Sequence, residues 1–113
     1  MKKILLILIS EDLRNALSAT LQQEYEVTSC TDVQAGEKLL QLKFDGLIIE
    51  MNVDSLSLLD RTCVNLPPVV IALTCLLCDD ILRVLNRCGA GYLIRIPCPV
   101  DLIKERLGQS LKS

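Results

Sequence analysis

The chain has no histidine and no tryptophan, and its aromatic content is one phenylalanine and two tyrosines. With a net charge of −2 there is no basic excess either. A nucleic-acid interface needs a basic stripe or a platform of stacking rings, and this sequence supplies neither. No G-x-G-x-x-G occurs, which removes dinucleotide binding of the usual kind. No apolar run reaches membrane-spanning length. Lys2-Lys3 followed by six aliphatic residues imitates a signal peptide, but the run is shorter than an h-region. Ser10-Glu11-Asp12 breaks it, and no cleavage pattern follows. Linkers, low-complexity stretches and a basic tail are also missing.

What is present is apolar and periodic. Half of the 113 residues are hydrophobic, enough for one domain with a real core, expected over 1–113 and in the cytoplasm. Four short runs stand out: Ile4-Leu5-Leu6-Ile7-Leu8-Ile9, Phe44 to Glu50, Val69 to Thr74 and Tyr92 to Pro97. Each is too short for a typical helix and is followed by a loop and then by apolar residues at helical spacing. Glu26-Val27-Thr28-Ser29-Cys30 adds a more polar strand suited to a sheet edge. Five strands alternating with five helices predict an α/β fold, an open, doubly wound parallel sheet with helices on both faces.

Helix starts are legible as well. Ser10 caps a first helix that carries Glu11 and Asp12 in its first turn and Leu13, Leu17 and Leu21 inward. Thr31-Asp32-Val33-Gln34 reads as a capping box opening a helix that buries Ala35, Leu39 and Leu40. Asp54 or Ser55 starts a third helix through Leu58 and Leu59. Asp79 precedes a fourth, with Ile81, Val84, Leu85 and Cys88 inward and a stop at Gly89. Pro99 suits the first position of a fifth, carrying Ile103, Leu107 and Leu111.

The order and spacing of these segments resemble the receiver domain of bacterial two-component response regulators along the whole chain. Met1-Lys2-Lys3-Ile4-Leu5 looks like the family's first strand, Tyr25-Glu26-Val27 like its second and Phe44-Asp45-Gly46-Leu47-Ile48-Ile49 like its third. Pro68-Val69-Val70-Ile71-Ala72-Leu73-Thr74 resembles the fourth-strand pattern, and Gly89-Ala90-Gly91 through Pro97 the family's Gly-Ala to Lys-Pro stretch. The last third looks most like the receivers of sporulation-type transcription regulators. The resemblance implies the flavodoxin-like strand order 2-1-3-4-5, a place in phosphorelay signalling, and an output domain beyond Ser113 as a possible partner.

It also implies five site positions, and four of them have changed. The two acidic residues that help to hold Mg²⁺ fall on Leu8 and Ile9. Glu11 and Asp12 lie in a helical turn and are poor substitutes. The phosphoacceptor aspartate falls on Glu50, the hydroxyl residue is kept as Thr74, and the lysine falls on Ile96, or on Arg95 with a shift of one residue. Mg²⁺ prefers near-octahedral oxygen coordination, so a lone carboxylate beside two aliphatic chains is a poor site. Phosphoryl transfer depends on positioning and charge neutralisation, which the metal and lysine supply.

The sequence therefore predicts a pseudo-receiver with no enzymatic activity, no metal and no cofactor. Its expected work is phosphorylation-independent protein association, within a response regulator and as the amino-terminal domain of a transcription factor. Glu50 is read either as a solvated strand end or as a stand-in for a phosphorylated aspartate; the runner-up function is an unconventional phosphoreceiver at Glu50. The resemblance implies an interaction surface on the fourth helix, fifth strand and fifth helix, which here would use Arg83, Arg87, Tyr92, Leu93, Lys104 and Arg106 to hold a protein partner or a second copy. Arg83 is expected to pair with Asp79, leaving Arg87 to find Asp101 or Glu105 across a dimer.

Six cysteines support a competing reading. Cys75-Leu76-Leu77-Cys78 is a C-x-x-C after the fourth strand and Cys98 follows the fifth, where helix amides can lower a thiol pKa. That pattern allows a thiol redox or soft-metal module using Cys75 and Cys78. Against it stand the lack of histidine and of a second C-x-x-C, the position in the fourth βα unit, and the frequency of cysteine in reduced cores. A phosphocysteine carrier is excluded because Leu8-Ile9-Ser10-Glu11-Asp12 offers neither glycine nor thiol.

Overall fold

The computed structural model describes residues 1–62, 65–76, 78–88 and 91–112. Its elements alternate as β1 (Lys3–Ile7), α1 (Glu11–Leu21), β2 (Glu26–Cys30), α2 (Val33–Leu39), β3 (Gly46–Glu50), α3 (Val53–Thr62), β4 (Val69–Thr74), α4 (Asp79–Cys88), β5 (Tyr92–Arg95) and α5 (Val100–Lys112). All strand pairs are parallel, and the sheet order is β2-β1-β3-β4-β5. The expected doubly wound architecture is the one found.

The continuous apolar strands are explained by two cores, one on each face. Leu5, Ile7, Leu47, Ile49, Val70 and Ala72 pack on one side with Leu58 and Leu59 of α3 and Ile81 and Leu85 of α4. Alternate residues Ile4, Leu6, Ile48, Ile71 and Leu73 pack on the other with Leu17 and Leu21 of α1 and Ile103 and Leu107 of α5. Because side chains alternate along a strand, a strand covered on both faces has no polar position left. Gly36 of α2 sits tightly against the first core: a Cβ there would lie 2.5 Å from Ile7 Cδ1 and 3.0 Å from Ile7 Cγ1.

The structure corrects several boundaries. β1 ends at Ile7 rather than Ile9, and β5 at Arg95 rather than Pro97; β3 begins at Gly46 rather than Phe44. Apolar runs overshoot because burial and cross-strand bonding both continue past the assigned strand end: Leu8 is fully buried and its N–H donates to the Cys30 carbonyl at 3.1 Å. Ser10 caps α1 as expected, accepting the Leu13 N–H at 3.4 Å. The cap of α2 is Asp32, not Thr31, with Asp32 Oδ1 accepting the Gln34 N–H at 2.9 Å.

For α3 the cap is Asn52, ahead of the expected Asp54 or Ser55. Asn52 Oδ1 accepts the Ser55 N–H at 2.8 Å, while Ser55 Oγ accepts the Asn52 N–H at 2.7 Å. That is a reciprocal capping box built with a serine where glutamate or glutamine is usual. Pro99 stands just before α5, its carbonyl accepting the Leu102 N–H at 3.1 Å. The stop expected at Gly89 lies outside the described residues, as does the Gly-Ala pair it begins.

Candidate functional site

The carboxyl ends of β1, β3 and β4 adjoin, so the segments after them meet at one end of the sheet. Glu50 ends β3 half-buried. Its Oε1 accepts two backbone N–H groups, from Ile9 at 3.0 Å and Ser10 at 3.1 Å. One carboxylate oxygen is thus held by the chain's own backbone, which makes Glu50 more than a plain solvated strand end. The other side of the same loop is held too, because Arg14 Nη1 donates to the Leu8 carbonyl at 3.3 Å. Leu8 to Ser10 therefore has its backbone satisfied from both directions.

Behind Glu50, Ser55 is fully buried and its Oγ donates to the Glu50 carbonyl at 2.8 Å. The hydroxyl that reaches back to the Asn52 N–H at the start of α3 thus also fixes the end of β3. Sequence reasoning passed over Arg14 and Asn52 and took Ser55 only as a possible helix start; the one available signal was the Asn52-x-x-Ser55 spacing of a capping box.

The remaining site positions are accounted for as follows. Leu8 is fully buried and packs among the α1 and α5 residues, whereas Ile9 is 47% exposed. Thr74 is buried, and its Oγ1 donates to the Leu76 carbonyl at 2.6 Å and accepts the Leu76 N–H at 3.2 Å. Its hydroxyl is spent on closing its own turn. Arg95 pairs in register with Thr74 and is exposed. Ile96 comes next, joined to Pro97 by a cis peptide bond, with its N–H donating to the Thr74 carbonyl at 2.8 Å. Ile96 lines a groove of about 270 Å³ with Ser10, Leu13, Cys75, Pro97 and Cys98. No side chain of that lining carries a basic charge.

Tested against Mg²⁺, these residues do not fit. The ion needs several oxygen ligands in a rigid octahedron. Leu8 and Ile9 present hydrocarbon, and the one nearby carboxylate oxygen described as engaged already takes two amide protons. No group of three or more Cys, Asp or Glu able to hold a metal lies together among the described residues.

The cysteines divide by exposure. Cys75 and Cys78 are exposed, so the core-cysteine reading does not describe them, and they are not bridged. Leu77 between them lies outside the described residues. Burial pushes the thiol pKa of Cys30 up, with the Asp32 carboxylate adding to the rise, and burial alone does the same to Cys98.

On the expected interaction surface, the structure changes the charge pairing. Arg87 forms an ion pair with Asp60 of α3 in its own chain, and its Nη2 also donates to the Asp60 carbonyl at 3.3 Å. It is therefore not left over for Asp101 or Glu105 of a second copy. Arg83 pairs with Asp80 at 3.2 Å rather than with Asp79. Lys104 pairs with Glu24 at 3.5 Å, and Leu93 packs against the core. Tyr92 remains on the surface at 37% exposure, with the Arg106 guanidinium 4.8 Å from its ring centroid.

No protein-family model matches the sequence, and no curated relative matches it. Solved structures do. A CheY-like response regulator receiver domain protein of Methanospirillum hungatei superposes with a TM-score of 0.88 at 17% identity, covering 99% of this chain and 94% of that one. The receiver domain of a Francisella response regulator gives 0.85 at 18% identity, covering 99% and 98%. An orphan response regulator of H. pylori gives 0.83 at 17% identity, covering 97% and 96%. With the strand order β2-β1-β3-β4-β5 and helices on both faces, the chain has the fold of the CheY-like response regulator receiver domains.

Proposed function

We propose that residues 1–113 form a single pseudo-receiver domain, a member of the two-component or phosphorelay machinery that works by protein association without accepting a phosphoryl group. The observation that carries this reading is the Glu50 carboxylate bound to the Ile9 and Ser10 amides, where a receiver's chemistry would need ligand oxygens. A fixed anion holds the loop that a metal and a phosphoryl group would otherwise organise. Thr74 is engaged by Leu76, and among the described residues lining the groove around Ile96 no basic side chain stands ready to neutralise a phosphoryl group in transit.

The domain is then a cytoplasmic, non-catalytic element presenting a fixed surface, the regulatory part of a transcription regulator. The surface retained from the family expectation is α4, β5 and α5, reduced to its apolar centre. Leu82 and Tyr92 are exposed at 39% and 37% there, and Arg106 lies beside the tyrosine. A homodimer or an output domain is the partner that this face suits.

The test is intact mass after incubation with Mg²⁺ and a small phosphodonor. The expected result is an unchanged mass. A stable single-phosphoryl adduct that disappears in Glu50→Ala would overturn the proposal and establish the unconventional phosphoreceiver instead.

A further inference from the structure

Three aliphatic side chains stand in solvent at the carboxyl end of the sheet: Ile9 at 47%, Val53 at 84% and Leu76 at 71% exposure. They follow β1, β3 and β4, which are neighbours in the sheet, so the three segments emerge side by side. Between Ser10 and Cys75, the groove of about 270 Å³ adds Leu13, Ile96 and Pro97 to the apolar surface. Large aliphatic residues clustered at one end of a sheet are an interface signature, whereas scattered ones are not.

The rim of this surface is acidic. α1 opens with Glu11 and Asp12, α3 with Asp54 and α4 with Asp79 and Asp80, while Asp32 caps α2. Helix dipoles account for the placement of each carboxylate. Their sum is set by topology, since in a parallel doubly wound sheet every helix begins at this end. Of the cations at this end, Arg14 holds the Leu8 carbonyl and Arg83 pairs with Asp80. Arg61, which lines a cavity with Ile9, Asp32 and Asp54, pairs with Glu37; Arg95 is exposed, and the carboxylates outnumber these cations. Helix dipoles do not account for the aliphatic centre inside the acidic ring.

We infer that this end of the sheet docks a basic, amphipathic segment of a partner protein, with aliphatic anchors over Ile9, Val53 and Leu76 and flanking lysines or arginines on the carboxylate rim. The complementarity decides the occupant: an apolar centre asks for aliphatic anchors, and the acidic rim selects cationic flanks and repels acidic ones. The inference rests on the reading that this end no longer takes a phosphoryl group. The mass measurement above tests that reading separately, and its result does not depend on peptide binding.

The experiment is fluorescence anisotropy with the full chain and a labelled helical peptide of leucine and lysine in amphipathic order. Saturable binding is expected, weakened about tenfold or more in the double variant Val53→Ser, Leu76→Ser and again in Asp54→Asn, Asp79→Asn. Leu42→Ser, a matched loss of exposed aliphatic surface elsewhere, should leave binding unchanged. Val53 and Leu76 are exposed, so these variants retain their fold, and circular dichroism checks it. Independently of any variant, peptide titration should shift the amide resonances of Ile9 and Leu76. Equal binding by all variants, equal binding of a serine–lysine peptide, or unmoved Ile9 and Leu76 resonances would overturn the inference. Self-association abolished by the double variant, with no peptide binding, would overturn it in favour of a second copy.

Discussion

Glu50 and Ile9 are joined by a hydrogen bond of 3.0 Å, from the Ile9 N–H to Glu50 Oε1, across the junction of β1 and β3. The same oxygen takes the Ser10 N–H at 3.1 Å. Both donors sit in the loop that opens α1, so the contact fastens a helix start to a neighbouring strand. Glu50→Ala should lower stability by about 1 kcal/mol, a charged hydrogen bond discounted for its exposed donors. Glu50→Gln, which keeps an accepting oxygen, should lose less. Urea denaturation of both variants checks the order; equal losses would show that the pairing contributes nothing.

Ser55 is the buried pivot beneath that contact, donating to the Glu50 carbonyl and exchanging hydrogen bonds with Asn52. Removing its hydroxyl breaks the reciprocal half of the α3 capping box, stripping the partners from the Asn52 N–H and the Glu50 carbonyl. Ser55→Ala is therefore expected to cost about 1–2 kcal/mol. Asn52→Ala should cost less, because Ser55 Oγ still reaches Glu50. Thermal melts of the two variants compare them directly.

Gly36 has no space for a side chain beside Ile7. Gly36→Val should destabilise the protein by about 1–3 kcal/mol through overpacking, the preference of helices for non-glycine residues notwithstanding. Pairing it with Ile7→Val should recover part of the loss. If the double variant is as unstable as the sum of the singles, the crowding explanation fails.

The ion pair of Arg87 with Asp60 joins two exposed side chains within one chain. Arg87→Ala should cost under about 1 kcal/mol. It should also leave any self-association unchanged, whereas Tyr92→Glu should weaken association through the α4, β5 and α5 face. Sedimentation at several concentrations separates the two; a shift in Arg87→Ala alone would restore a direct intermolecular role for the arginine.

The thiols should differ in reactivity with pH. Thiolate is the reacting form, and burial raises the pKa of Cys30 and Cys98, so at neutral pH both hold less thiolate than an ordinary thiol. Native alkylation followed by peptide mass mapping should label exposed Cys75 and Cys78 first. Labelling of Cys30 and Cys98 should climb only as pH rises into the more alkaline range. Rapid, reversible Cys75–Cys78 disulfide formation under native conditions would instead promote the thiol reading.

The sequence by itself determined the alternation of five strands and five helices, because burial on both faces requires aliphatic residues along the interior of the central strands, while the more polar Glu26–Cys30 marks the edge. Leu5 and Leu6 are both fully buried, yet they face opposite cores. Local chemistry likewise marked Ser10 as a cap and Glu50 and Thr74 as the ends of strands, since each signal lies within a few residues of its effect. Boundaries were blurred where burial and cross-strand bonding run on past the strand end, as at Leu8.

Contacts between distant segments were decided only by the tertiary structure. Glu50 is 41 residues from Ile9, and Arg87 is 27 from Asp60. A side chain's partner at that range follows from strand order, helix packing and rotamer together, and no spacing rule connects them. The sequence could name Glu50 as the residue in the acceptor position. Only the parallel neighbouring of β1 and β3 could show that its carboxylate is already bound to the chain's own backbone.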